Sequence, residues 1–145
     1  MRAFTRGLFR QAPSEADTAD AMRALAEVFM RGAEGFAWDG ADVARLDEVC
    51  DQYLIPGQRT MSTRQALSAR MGAYVGELLV RNAGGRWVYD EACRSAAVEL
   101  PSGHRVFPAE RVAQRIAVGH HYSVAEFYRA TLAGDLLSYP HRQAG

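Results

Sequence analysis

Acid–base chemistry is the first possibility, because one carboxylate, Glu77, stands in a predicted helix whose neighbouring residues are mostly apolar. A partly buried carboxylate can have a raised pKa and act as a general acid or base. The structural alternative is an ion pair with Arg81 at i+4, with Arg70, or with Arg86 just beyond the helix. No second carboxylate stands at helical spacing to complete an acid–base couple, so we expect a structural role.

The adjacent His120 and His121 are the next candidates, as metal ligands or as bases for a nucleophile. Neighbouring histidines point in different directions on a strand or a helix, so the two rarely chelate one metal by themselves. His104, Glu126 or Cys93 would have to be brought in by the fold, and neither a CxxC nor an HExxH spacing occurs. A Cys93 or Ser123 nucleophile paired with His121 is conceivable, but neither residue lies in a recognisable sequence context for nucleophilic catalysis. We therefore expect no metal and no cofactor.

Arginine and aromatic side chains form the third signal. Both types are common anchors of protein–protein interfaces. On an alternating strand, Trp87 and Tyr89 share one face, while Arg86 and Val88 share the other. We expect Trp87 to be buried and Tyr89 to be open, because a three-stranded sheet leaves one face for another element or protein to cover. The residues predicted to contact a partner on the sheet are Arg86, Tyr89, Arg94 and Arg105.

The N-terminal segment, residues 1–13, is basic and amphipathic. Its arginines follow helical i, i+4 spacing and no acid stands among its first ten residues. Such a segment can dock in the groove of a partner or lie on an anionic surface. The alternative is a terminus that is frayed or tucked onto its own domain. The residues predicted to contact a partner are Arg2, Phe4, Arg6, Leu8 and Phe9.

The composition excludes several classes of protein. Seventeen basic and seventeen acidic residues leave a formal net charge of zero, which argues against a dedicated nucleic-acid binder. All basic residues are arginine, so neither a Schiff-base lysine nor a P-loop lysine can exist. No apolar run is long enough to cross a bilayer, so we expect no membrane insertion. The two cysteines cannot build a disulfide framework, and we expect a cytoplasmic protein.

Three helices are predicted before any strand. Ser14 and the acids after it favour a helix N-terminus, and apolar residues at helical spacing continue to residue 31. A second capping signal at 39–42 precedes an apolar stripe that runs to residue 54 and includes Cys50, expected in the core. The third helix is predicted over 62–82 and ends at two glycines.

Two glycines inside the third helix, Gly72 and Gly76, lie one turn apart. Each costs about 1 kcal/mol relative to alanine in a helix interior, so their presence needs a reason. We expect that the missing side chains allow another backbone or element to lie against this helix.

After the third helix the period changes to that of short strands. Residues 86–90, 96–100 and 105–108 are predicted to be extended. Pro108 ends the third strand and can begin a helix, since proline is accepted in the first helical turn. Ser123, with a glutamate three residues later, forms a capping box for the last helix.

The predicted fold is α+β, with about five helices packed on a small three-stranded antiparallel sheet in the order ααα-βββ-αα. The length of 145 residues suits a single domain. We place that domain at residues 14–140, between the N-terminal tail 1–13 and a C-terminal tail at 141–145.

Short motifs between residues 74 and 128 resemble a group of small uncharacterised bacterial domains. They are Tyr-x-Gly-Glu at 74–77, Gly-Gly-x-Trp at 84–87, a Val-x-x-x-Ile pair at 112–116 and Ser-x-x-x-Phe-Tyr at 123–128. The resemblance implies an α+β fold, and it implies little about activity. Some proteins of this appearance are toxin-neutralising or accessory partners, which is an indication of class only.

The sequence favours a non-enzymatic protein-binding module, of an accessory, adaptor or immunity type, that acts through the sheet face and the N-terminal tail. Its partner would be another protein or a second copy of the chain, and not nucleic acid. The alternative is a small enzyme or ligand-binding protein whose pocket lies between the third helix and the sheet. Its polar groups would be Glu77 and a histidine, His104, His120 or His121.

Overall fold

The computed structural model describes residues 12–53 and 60–134 of the chain. Within them, three helices precede a sheet of three strands, and two helices follow it. The predicted α+β class and element order are confirmed. The elements are α1 Glu15–Gly32, α2 Ala44–Asp51, α3 Met61–Ala83, β1 Arg86–Asp90, β2 Ser95–Glu99, β3 Arg105–Val106, α4 Pro108–Val118, a 3-10 turn at His120–Tyr122, and α5 Val124–Ala133.

Side-chain caps begin three of the helices. Ser14 Oγ accepts a hydrogen bond from the Asp17 N–H at 3.0 Å at the start of α1. Thr60 caps α3 in the same way, and the Glu126 N–H donates to Ser123 Oγ at 3.1 Å at the start of α5. Since each cap satisfies a backbone donor that the helix leaves free, local sequence is enough to place these helix starts.

The predicted boundaries differ from the observed ones at a few positions. α2 begins at Ala44, later than the capping signal indicated, because the Asp39 carboxylate accepts from the Ala41 N–H and so stabilises the preceding turn. β2 begins and ends one residue earlier than predicted, and β3 ends at Val106 because Pro108 already opens α4. The predicted end of α2 near residues 54–57 and the last apolar residues of the final helix lie outside the described residues.

The sheet has the order β1-β2-β3 and both pairings are antiparallel. Trp87 pairs with Val98, and Val98 pairs with Val106, so these three residues share the face that packs in the core. Arg86 pairs with Glu99, and both lie on the opposite face. Trp87 is buried, as predicted.

The two glycines of α3 are sites of close approach, as predicted. A Cβ on Gly72 would lie 2.6 Å from the backbone nitrogen of Ala109 in α4. A Cβ on Gly76 would overlap the six-membered ring of Trp87. The glycines therefore let α4 and β1 lie against the same helix.

An aromatic cluster holds the segment between α1 and α2 against α3. The Tyr74 ring packs 5.1 Å from Phe29, 5.8 Å from Phe36 and 5.5 Å from Trp38. The Tyr74 hydroxyl donates to the backbone oxygen of Ala37. Burial is the main reason that the pKa of Tyr74 is raised to about 12. The segment thus packs its Phe36 and Trp38 side chains against the core, although it contains no regular secondary structure.

Within the described ranges, no helix combines the length and the apolar character that a bilayer-spanning segment needs.

Candidate functional site

Glu77 is buried in the core with both carboxylate oxygens occupied. Its Oε1 accepts from the Trp87 indole N–H at 3.1 Å, and its Oε2 lies 3.4 Å from Arg81 Nε and 3.9 Å from Arg23 Nε. The predicted i+4 pair with Arg81 is present, whereas the pair with Arg23 of α1 was not anticipated. The carboxylate therefore ties α1, α3 and β1 together.

The histidines lie elsewhere. His120 and His121 are exposed on the 3-10 turn, where His120 Nδ1 is 3.5 Å from Arg115 Nη2. His104 is exposed in the turn before β3. In the described part of the chain, no histidine is a hydrogen-bond partner of Glu77, and no group of three or more His, Cys, Asp or Glu side chains could hold a metal ion.

A polar network around Arg115 was missed in the sequence. Arg115 is fully buried, and its Nε donates to Asp47 Oδ1 at 2.9 Å, while its Nη2 donates to Asp51 Oδ1 at 2.6 Å. The Asp47 carboxylate also accepts from the Ser123 hydroxyl at 2.8 Å and from the Val124 N–H at 2.9 Å. One aspartate of α2 thus neutralises a buried cation of α4 and caps α5, next to the serine.

The contacts of this network are structural, since they pair Arg115 with two carboxylates of α2 and use Asp47 to cap α5, although Arg115 Nη1 has no hydrogen-bond partner. Cys50 lies beside it, and burial, with smaller effects from neighbouring carboxylates, raises the pKa of its thiol to about 12. Cys50 is completely buried, as predicted, and remains a thiol at neutral pH. Of this network, the local sequence indicated only that Ser123 caps α5. The contact with Asp47 could not be predicted in this way, because Asp47 is 76 positions away in the chain.

Two sheet arginines, Arg86 and Arg105, are held in ion pairs on the face opposite Trp87, the same face on which Val88 and Ala97 are buried. Arg86 bridges Glu15 and Glu99, each at 2.6 Å, and Arg105 bridges Glu99 at 3.0 Å and Asp90 at 3.2 Å. The hydrogen bonds from Arg86 and Arg105 hold the pKa of Glu99 below its ordinary value. Burial alone would raise the pKa of Asp90, but hydrogen bonds from the Cys93 backbone and from Arg105 leave it lowered.

The other predicted contact residues are dispersed. Tyr89 is half-buried on the same face as Trp87, so it does not join Arg86 and Arg105 on the opposite face of the sheet. Arg94 is exposed in the β1–β2 turn with a φ of 52°. The N-terminal residues Arg2, Phe4, Arg6, Leu8 and Phe9 lie outside the described residues.

A cleft of about 680 Å³ opens among α1, α2 and the first half of α3, and we call it the helical cleft. Its apolar lining comes from all three helices and the α1–α2 segment, and includes Val28, Phe29, Phe36, Val49 and Leu67. The alternative function, a small enzyme or ligand-binding protein, predicts a pocket between α3 and the sheet. At Gly76, that interface is filled by the Trp87 ring.

Polar side chains surround the helical cleft. Ser62 and Thr63 contribute hydroxyls from the first turn of α3, and Arg45 and Arg70 contribute exposed guanidinium groups. No histidine, cysteine or aspartate is among the described residues that line it. The arrangement suits the binding of an apolar group with polar surroundings.

Comparison with known protein families gives a match to the family described as "Domain of unknown function (DUF3806)", over residues 42–128. Searches of curated proteins and of solved structures give no match. The matched range runs from the turn before α2 into α5, and it includes the Arg115 network but not α1. Because it spans more than half of the 145 residues, the chain belongs to the DUF3806 family of domains of unknown function.

Proposed function

We propose that this protein is a non-enzymatic protein-binding module whose helical cleft receives the apolar side chains of a segment of a different protein. The cleft itself is the observation that carries the proposal. Its volume and its apolar lining suit the insertion of several side chains, and its walls are helices, which commonly form grooves for a partner helix. The accessory or immunity-type role, and a cytoplasmic location, belong to this proposal.

The state of the buried polar groups supports binding over catalysis. Glu77 and Asp47 are each engaged by several donors of the same chain. A catalytic carboxylate would have to reach a substrate, and neither residue lines the helical cleft. Their observed partners account for their burial without any ligand.

The sheet face is a weaker candidate for the primary contact. Arg86 and Arg105 would have to exchange carboxylates of their own chain for those of a partner, so much of the gain on binding would be offset. We keep these arginines, with Arg94, Tyr89 and the N-terminal tail, as secondary contacts of the proposed complex.

The test is affinity capture from the cells that naturally make the protein, combined with a matched pair of substitutions. Ala66→Phe places a ring in the helical cleft, because Ala66 lines it. Ala117→Phe adds the same ring to an exposed position of α4, away from the cleft. A photo-crosslinking residue at Thr63, with a control at the exposed Arg129, reports direct contact.

We expect one partner that crosslinks at Thr63 and not at Arg129, and that is captured by wild type and Ala117→Phe but not by Ala66→Phe. Equal capture by all three proteins would show that the helical cleft is not the binding surface. A homodimer that Ala66→Phe dissociates would assign the cleft to a second copy of the chain. A tightly held small molecule displaced by the new ring would support the ligand-binding alternative. Each of these three results overturns the proposal.

A further inference from the structure

The guanidinium of Arg45 is fixed at the rim of the helical cleft. Its Nη1 and Nη2 donate to the backbone oxygens of Gly35 and Glu34, both at 3.0 Å. Its central carbon lies 4.8 Å from the centroid of the Phe36 ring. Gly35 has a φ of 88°, and any side chain there would collide with this guanidinium. An arginine already held in one position loses little conformational entropy when it binds a further group.

The charge of Arg45 is not neutralised by these contacts, because both acceptors are neutral carbonyl oxygens. Arg70, one helix away, is exposed and also lines the cleft. Among the residues that the structure describes, neither arginine forms an ion pair with a carboxylate. Arg86 and Arg105, in contrast, each form two ion pairs with carboxylates.

The described residues that line the cleft carry an excess of positive charge. Its charged lining residues in the described chain are Arg45, Arg70 and Glu34, that is, two cations and one anion. The basic N-terminal tail of the chain itself is a poor occupant of such a site, since its arginines would face like charges. A segment that carries carboxylates would instead find two unneutralised guanidinium groups beside an apolar groove.

We infer that the partner segment received by the helical cleft is acidic and amphipathic, with carboxylates placed to bind Arg45 and Arg70 while its apolar side chains enter the groove. This inference rests on the proposed function and specifies the chemistry of its partner. Arg45 donates to a carboxylate of the partner through its remaining N–H groups, and both arginines affect mainly the choice of partner and the rate of association.

The experiment uses two synthetic helical peptides with the same leucines at i, i+3, i+4 and i+7, one with glutamate and one with lysine at the flanking positions. Fluorescence anisotropy measures their binding to the full-length protein at low and high salt. We expect the wild type to prefer the glutamate peptide by roughly fivefold to tenfold at low salt, and this preference to shrink at high salt.

Variants of the protein distinguish the acidic character of the partner from the use of the helical cleft as the binding site. Arg70→Glu should remove or invert the preference, Arg45→Ala should reduce it, and Arg129→Ala, at an exposed site on α5, should leave it unchanged. Ala66→Phe should weaken both peptides alike. Equal binding of the two peptides, still sensitive to Ala66→Phe, would refute the acidic partner and leave the cleft in place. Binding of neither peptide, or binding that Ala66→Phe does not change, would overturn the inference and the proposed function together.

Discussion

The backbones of α3 and α4 come close together where Gly72 faces Ala109, and the Gly72→Ala substitution tests this contact. The added Cβ would lie 2.6 Å from the backbone nitrogen of Ala109 and 2.7 Å from its Cβ. Ordinary van der Waals contact of a Cβ begins near 3.4 Å. Because the obstacle is backbone and not the end of a flexible side chain, the whole of α4 would have to move.

Two effects of the substitution oppose each other. Replacing glycine by alanine inside a helix favours folding by about 1 kcal/mol. Overpacking a filled interior disfavours folding by about 1–3 kcal/mol, and a backbone obstacle belongs at the upper end of this range. We therefore expect Gly72→Ala to lower the free energy of unfolding by about 1–2 kcal/mol net.

The assay is urea unfolding followed by far-ultraviolet circular dichroism, with the change read from the midpoint. Gly32→Ala is the matched control, because Gly32 is helical, exposed, and has no atom within 4 Å of the position its Cβ would take. The control should unfold at the wild-type midpoint or slightly above it. If Gly72→Ala also unfolds there, then the approach of α4 does not require glycine and the packing argument is wrong.

Three further predictions follow from the charged and thiol groups. Asp47→Asn should lower the free energy of unfolding in urea by about 2–4 kcal/mol, because it leaves the buried Arg115 partly unpaired. The control Asp20→Asn, in an exposed ion pair, should change that free energy by less than about 0.5 kcal/mol. Equal effects of the two substitutions would refute the structural role of the network. Because the folded pKa of Glu99 is below its unfolded value, its contribution to stability is present above about pH 5 and is lost as the pH falls through the folded pKa. The urea midpoint should fall less between about pH 6 and pH 3.5 in Glu99→Gln than in wild type, and parallel curves would contradict this assignment. Peptide mapping after iodoacetamide treatment of the native protein should find Cys93 modified before Cys50, and the reverse order would show that the core opens at Cys50.

The order of elements was predictable because its signals are local. Ser14 and Ser123 each cap a helix by accepting a hydrogen bond from the backbone N–H three residues later in the chain. Gly84 ends α3 in the left-handed conformation. The apolar spacing of α3 and the change of period after it were sufficient to predict a helix followed by strands. The two glycines in α3 also carried their own signal, since each is unfavourable in a helix unless something lies against it.

The helical cleft was not predicted from the sequence, because it depends on residues that are far apart in the chain. Arg45 and Arg70 stand on different helices, and nothing near either of them in sequence indicates that they border the same cleft. The sheet arginines were predicted to contact a partner because of their residue type. The ion pairs of Arg86 and Arg105 with Glu15, Asp90 and Glu99 could not be predicted, because they depend on strand register and on the position of α1.

Composition, helical period and capping residues thus determined the class of fold and the approximate start of most elements, since those interactions reach only a few residues along the chain. Tertiary structure alone decided which charges are neutralised. A buried cation such as Arg115 is costly unless it is paired with carboxylates, and the packing of the helices decides which carboxylates are within reach. Here they are Asp47 and Asp51 of α2, more than sixty residues earlier in the chain. The same packing left Arg45 and Arg70 without such partners among the described residues, at the edge of an open groove.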